Sequence, residues 1–303
     1  MFKRLSALLL LFLIVIMNFS GCGNNNVSKT KGEKLKVSVT FNAMKEFVDA
    51  VGKDKVDIST IIPDGTEPHD FEPKSQDLVN LSTAKIFVYS GLGMESWADD
   101  AIKSANNKNL IAVEASNGVN AIANTNAEEI KEHGQYDPHI WLSLKGAETE
   151  VKNIKDALVK ADPSNKDYYE NNCTEFVSKL DSLYNEYKEK FNSVKKKGIV
   201  TGHAAFAYLC QDFDLTQNSV EDVFAEGEPS AQQLSDLVKY CKENKVSTIF
   251  AEEMASPEVS KTLANEVGSK VDTIYTIEGN EDNKTYIERV KENLYKIYDS
   301  LIK

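Results

Sequence analysis

The chain is poor in sulfur ligands. It has four cysteines in 303 residues and no Cys-x-x-Cys pair. Neither a thiolate zinc site nor a dithiol redox motif therefore has a basis. Cys22 stands near the start, while Cys173, Cys210 and Cys241 are scattered singly. Three cysteines cannot pair completely within one chain, and these read as buried free thiols. Positive charge is also scarce. Thirty-five Lys and Arg face 47 Asp and Glu, for a net charge of −12. Setting aside the acid-free stretch before Cys22, with Lys3 and Arg4, takes −12 to −14. Such a chain lacks the basic face that nucleic acid requires, so nucleic acid is not expected as a partner. Bulk acidity captures cations only weakly, because salt screens it within about 10 Å. No Gly-Lys-Ser/Thr follows Gly91-Leu-Gly93, which makes that element a turn and not a phosphate loop. One long apolar run occurs, Ala7 to Met17, and it is short for a membrane span.

That run follows basic Lys3 and Arg4 and precedes Ser20-Gly21-Cys22. Basic, apolar and small residues in this order mark a secretory signal. A cysteine directly after Ser-Gly resembles a bacterial lipobox, with Phe19 where Leu is usual and Cys22 as the lipidated first residue. Residues 1–21 are expected to be a lipoprotein signal peptide. Residues 22–34, rich in Asn, Ser and Lys, are expected to be a flexible tether. Acyl chains on Cys22 would hold the protein in membrane lipid, extracytoplasmic, at the outer face of the bacterial cell membrane.

Further along, period-two runs alternate with runs of helical spacing. Strands are expected at 35–41, 56–62, 85–89 and 110–113, and helices at 43–51, 75–82, 97–105 and 142–159. A second series places strands at 198–201, 246–250 and 270–277, and helices at 203–210, 230–242, 260–267 and 285–302. Between the two series, Tyr169, Cys173, Phe176, Leu180, Leu183, Tyr187, Phe191 and Val194 recur in steps of three and four. No Gly or Pro interrupts them, and one helix of about 28 residues would reach ~42 Å. The order predicts an α/β fold of two lobes, each a mainly parallel sheet flanked by helices, joined by one long helix. The N-terminal lobe is expected at 35–160, the linking helix at 164–196 and the C-terminal lobe at 197–303. In such sheets ligands gather beyond the carboxyl ends of the strands.

Only four histidines occur, and three of them sit beside the ends of apolar runs. They lie in Gly65-Thr-Glu-Pro-His69-Asp-Phe-Glu-Pro73, Asp137-Pro-His139-Ile-Trp-Leu142 and Ile199-Val-Thr-Gly-His203-Ala-Ala-Phe206. Imidazole is the commonest side-chain metal ligand. Three such residues, far apart in sequence, predict one metal site in the cleft between lobes. The fourth ligand is Glu278, where the last strand ends, or Glu252 or Glu253 after the preceding strand. Three imidazoles and a carboxylate suit zinc, whereas manganese and calcium prefer more oxygen. Each bound imidazole should pass its other N–H to an acceptor, and Glu67, Asp70, Glu72 and Asp137 are near in sequence. Trp141 and Phe206 are expected to pack beside the site. Strand alternation would send one of Glu252 and Glu253 toward the cleft and the other away. His133, with Glu128, Glu129 and Glu132, is read as part of a solvated loop, with a weak accessory metal site as the alternative.

With these motifs the chain resembles the metal-binding lipoproteins of bacterial ABC importers for zinc and manganese, which have two α/β lobes and one backbone helix. The resemblance runs from Lys34 to Lys303. It is carried by the three histidine segments and by Ile277-Glu278-Gly279, which is similar to the ending of zinc-type members. Manganese members usually carry glutamate where this chain has His203. Many members read Asp or Asn, then Pro-Leu, before the last glutamate, where this chain has Tyr275-Thr-Ile. The resemblance implies His69, His139, His203 and Glu278 as metal ligands, and Zn2+ rather than Mn2+ as the transported ion. It also implies an ABC permease in the cytoplasmic membrane as partner, lipid contact through Cys22, and a monomer that captures Zn2+ for import. An enzyme is not expected, because Glu278 closing the shell would leave no position for the water of a zinc hydrolase. A manganese carrier is the alternative within the family, and a surface adhesin the alternative of another class.

Overall fold

The computed structural model describes residues 34–303 except 125–129, 132–133, 226–228, 254–256 and 281. The expected signal peptide, Cys22, nearly all of the tether and the His133 cluster lie outside the described residues.

The first sheet is fully parallel. Its strands are β1 (Leu35–Val39), β2 (Val56–Thr60), β3 (Ile86–Tyr89) and β4 (Ile111–Glu114), in the order β2-β1-β3-β4. Val37 and Val39 of β1 and Ile86 and Val88 of β3 alternate onto one face. There they join helix α1 (Asn42–Gly52) and helix α3 (Leu144–Ala161) in one buried cluster. Phe87 turns to the other face and packs with Ala98 and Ala101 of helix α2 (Ala98–Ala105).

The second sheet is parallel as well, in the order β6-β5-β7-β8. Its strands are β5 (Gly198–Thr201), β6 (Thr216–Ser219), β7 (Thr248–Glu252) and β8 (Lys270–Ile274). Val200 and Ile249 face helices α6 (Ala231–Asn244) and α7 (Glu258–Val267) through Leu237, Cys241, Leu263 and Ala264. Ile199, Phe250 and Ile274 face the other way, toward helices α5 (Ala207–Phe213) and α8 (Tyr286–Leu301).

Helix α4 (Lys166–Ser193) has 28 residues and so extends ~42 Å. Asp162 anchors its approach by accepting from Ser164, Asn165 and the Tyr169 hydroxyl. Asn172 Nδ2 donates to Val51 O at 2.9 Å in the first lobe, while Phe191 packs 5.0 Å from Phe213 in the second. One continuous buried cluster therefore runs from Val37 through α4 to Phe250 and Ile274. Opening the lobes would expose that shared apolar area, at about 25 cal/mol for each Å². Polar ties add to it. Asn42 N donates to Glu278 O at 3.2 Å, Trp141 Nε1 to Thr276 O at 2.7 Å, and the Tyr286 hydroxyl to Trp141 O at 2.6 Å.

Three local expectations need correction. Residues 75–82 form turns and a 3₁₀ turn at Asn80–Ser82 in place of a helix. Lys74 N donates to the Asp77 carboxylate at 2.7 Å, a side-chain bond that competes with helical pairing. The helix expected from His203 starts only at Ala207. His203 O already accepts from Thr201 Oγ1 and Gln217 Nε2, and Phe206 N donates to Gln217 Oε1. Strand β6 was not expected, because Thr-Gln-Asn-Ser lacks the apolar alternation of a strand. It is held at the sheet edge by pairing with β5. Cys173, Cys210 and Cys241 are free and buried, as their number suggested. Burial pushes the Cys241 thiol up to about 11. Among the described residues no helix is long and apolar enough to cross a membrane.

Candidate metal centre

The four residues named as ligands come from four separate parts of the chain. His69 lies in the loop beyond β2, His139 just before the 3₁₀ turn at Ile140–Leu142, His203 beyond β5 and Glu278 beyond β8. All four are buried. One ligand atom from each lies within 4.8 Å of every other. His139 Nε2 stands 3.2 Å from His69 Nε2 and 3.3 Å from His203 Nε2. Glu278 Oε1 is 3.9 Å from both His69 Nε2 and His139 Nε2. A tetrahedral zinc with arms of about 2.0–2.1 Å has ligand-to-ligand edges of roughly 3.3 Å. The two imidazole spacings through His139 match that edge, while the 3.9 Å carboxylate contacts are longer and would shorten around an ion.

His139, His203 and Glu278 each meet a neighbour that orients the side chain. Asp137 Oδ1 accepts from both His139 N and His139 Nδ1 at 2.9 Å. The proton thus sits on Nδ1, and the Nε2 lone pair faces the cluster. Burial, and then the charge of His203, hold the His139 imidazole well below the usual histidine range. Burial raises the Asp137 carboxyl to about 7 against the His139 amide that lowers it. Glu252 Oε1 accepts from His203 N at 3.1 Å and lies 3.6 Å from His203 Nδ1. Burial alone would lower His203, but the bond and charge of Glu252, with Glu278 and Glu67, outweigh it and raise the imidazole to about 9. Glu67 accepts from His69 N at 3.1 Å and approaches His69 Nε2 to 4.0 Å at the mouth of the site. Asp70 and Glu72 are exposed.

Glu278 Oε2 accepts from Thr276 Oγ1 at 3.0 Å. Its Oε1 is buried without a hydrogen-bond partner. A buried carboxylate oxygen left that way is costly, and a cation shared with three imidazoles would satisfy it. Burial, then the charge of Glu67, raise Glu278 to about 8.

Glu252 and Glu253, read as rivals for the fourth position, do different work. Glu252 orients His203, while Glu253 accepts from the amides of Thr276 and Ile277. Both support the site because β7 ends at Glu252, so strand alternation no longer governs Glu253. Trp141 packs 5.2 Å from the His139 ring and also ties the lobes through Thr276 O. Phe206 is fully buried. Thr276 had no signal in the sequence, since its role depends on where β8 turns.

Replacing Asp137 by Ala is expected to weaken divalent-metal affinity roughly 10- to 100-fold, the usual effect of removing a histidine's outer partner. The Asp137 main-chain bonds to Ile122 and to the Tyr208 hydroxyl do not need the carboxylate, so the fold should persist. Competition with a chromophoric chelator measures the change.

Comparison with known proteins gives the family. The family described as zinc-uptake complex component A, periplasmic (ZnuA), matches residues 37–300. A putative metal-binding protein of Treponema pallidum is 43% identical, over 94% of this chain and 93% of its own. The high-affinity zinc uptake system protein ZnuA of Bacillus subtilis is 39% identical, over 100% and 99%. A manganese ABC transporter substrate-binding lipoprotein, PsaA, of Streptococcus anginosus is 32% identical, over 99% and 100%. Among solved structures, a zinc-bound deletion mutant of ZnuA superposes with a TM-score of 0.79 at 28% identity, covering 89% of this chain and 98% of that one. The laminin-binding protein Lmb of Streptococcus agalactiae, described as having adhesin and metal-transporting activity, gives 0.81 at 32%, covering 89% and 100%. With two parallel-sheet lobes, one long helix and a match over nearly its whole described length, the chain belongs to the ZnuA family of zinc-uptake components.

Proposed function

We propose that this chain captures one Zn2+ outside the cytoplasm and delivers it to an ABC permease for import. His69, His139, His203 and Glu278 are the ligands in this reading. The observation that carries it is the convergence of three imidazoles and one buried carboxylate oxygen that has no hydrogen-bond partner. Four protein ligands close a tetrahedral shell and leave no place for a catalytic water. That favours a carrier over a hydrolase. Three nitrogens and one oxygen favour zinc over manganese. Manganese carriage and adhesion are named for relatives, but no separate observation in this structure favours them.

The same reading makes residues 1–21 a signal peptide and 22–34 a tether from lipidated Cys22. It takes 35–160 and 197–303 as the lobes of a monomer, with 164–196 as the linking helix. Calorimetry and elemental analysis of the chain lacking residues 1–22 test it. One tight zinc per chain, undisturbed by excess Mn2+, is the expected result. Preference for Mn2+ would overturn the zinc assignment.

A further inference from the structure

The segment that delivers Glu278 has an unfavourable backbone. Ile277 has φ of 62°, in the left-handed region where a β-branched residue is a genuine outlier. Its side chain is fully buried, so the segment cannot shift freely. The strain falls one residue before the carboxylate, where a return to negative φ would swing Glu278 off the imidazoles.

Several bonds hold the segment, and they come from different directions. Glu253 Oε1 accepts from Ile277 N at 3.2 Å and from Thr276 N at 3.1 Å, while Oε2 accepts from Thr276 N at 2.9 Å. Asn293 brackets Tyr275, accepting from its N at 2.9 Å and donating to its O at 2.7 Å. Beyond the ligand, fully buried Arg289 donates to Gly279 O, Asn280 Oδ1 and Asp282 Oδ1, and reaches Glu46 of α1 at 3.4 Å. Of these groups only Glu253 bonds the amide of the strained residue itself.

We propose that Glu253 is a positioning residue for the fourth ligand: by holding the Thr276 and Ile277 amides it imposes the left-handed turn that aims Glu278 at His69 and His139. The inference rests on the metal reading above. Glu253 does not touch the ion; it acts through Glu278.

A double-mutant cycle on the full chain tests it, with zinc dissociation constants from chelator competition. Glu253→Ala is expected to weaken zinc about 10- to 100-fold, the cost of releasing one strained backbone residue. In a Glu278→Ala chain the same substitution should change affinity by less than about twofold, because nothing is left to aim. Adding Ile277→Gly to Glu253→Ala should restore most of the loss, since glycine adopts positive φ freely. Adding Ile277→Ala, which removes the same side chain without freeing the backbone, should not. If Glu253→Ala does not fold, Glu253→Asp, which withdraws the carboxylate by one methylene, runs the same cycle. An equal loss with and without Glu278, or rescue by Ala as good as by Gly, would overturn the inference. Unchanged affinity in Glu253→Ala alongside weak binding in Glu278→Ala would overturn it and leave the metal reading standing. A native chain without a tight zinc would overturn both.

Discussion

Glu278→Ala is expected to retain the fold and to lose zinc affinity by roughly a hundred- to a thousandfold. Tetrahedral zinc sites contribute about 10–16 kcal/mol of binding free energy at neutral pH, so one of four ligands accounts for roughly 2.5–4 kcal/mol. The remaining three imidazoles still converge at 3.2 and 3.3 Å, which should leave weak binding completed by water. Stability of the metal-free chain should not fall with it. Glu278 Oε1 is buried without a hydrogen-bond partner, and burial already raises this carboxyl to about 8. Removing such a group takes away an unfavourable burial. A chain that binds zinc as tightly without Glu278 would mean that the fourth ligand lies elsewhere. Chelator competition paired with thermal melting of the metal-free protein separates the two effects.

The second large effect is acid release. Zinc affinity is expected to fall by about tenfold or more for each pH unit between pH 8 and pH 5. Burial alone would lower His203, but the Glu252 bond and charge, with Glu278 and Glu67, raise it to about 9 in the metal-free site. Burial, with Glu67, raises Glu278 to about 8. Both shifts have the same sign. A group raised above the working pH carries a proton in the free protein and must give it up to the metal. The penalty therefore grows as pH falls below about 9 and disappears above it. His139 adds least to the slope, because burial and then the charge of His203 hold it well below the usual histidine range. Over three pH units the loss reaches at least about a thousandfold. Calorimetry at pH 7 in buffers of different ionisation enthalpy should register about two protons released per zinc, one each from His203 and Glu278. Affinity that stays flat from pH 8 to 5 would contradict this account.

How much of this was legible in the sequence depended on whether the signal was local. β1 and the 28-residue helix α4 follow from apolar periodicity, because their partners bury one continuous face. The three histidines stood out because each is embedded in loop residues at the end of an apolar run. Asp137 was readable as a partner because it sits two residues from His139 and bonds both its amide and its ring. Other parts were not legible. β6 has no apolar alternation and exists through pairing to β5. Glu252 reaches His203 across 49 residues, and no local spacing announces that contact. That Glu278, and not Glu252 or Glu253, joins the three imidazoles in one cluster depends on where β8 ends and on the left-handed Ile277. Both are set by tertiary packing. The bonds across the cleft, such as Asn42 N to Glu278 O, likewise join residues that only the fold brings together.

X-ray absorption at the zinc edge of the loaded chain tests the central claim most directly. The account predicts four nitrogen or oxygen neighbours at about 2.0–2.1 Å, with outer-shell scattering from three imidazoles and no sulfur. The Glu278→Ala chain should keep the three imidazole signatures. A six-coordinate, oxygen-rich shell, or a sulfur neighbour at about 2.3 Å, would contradict it.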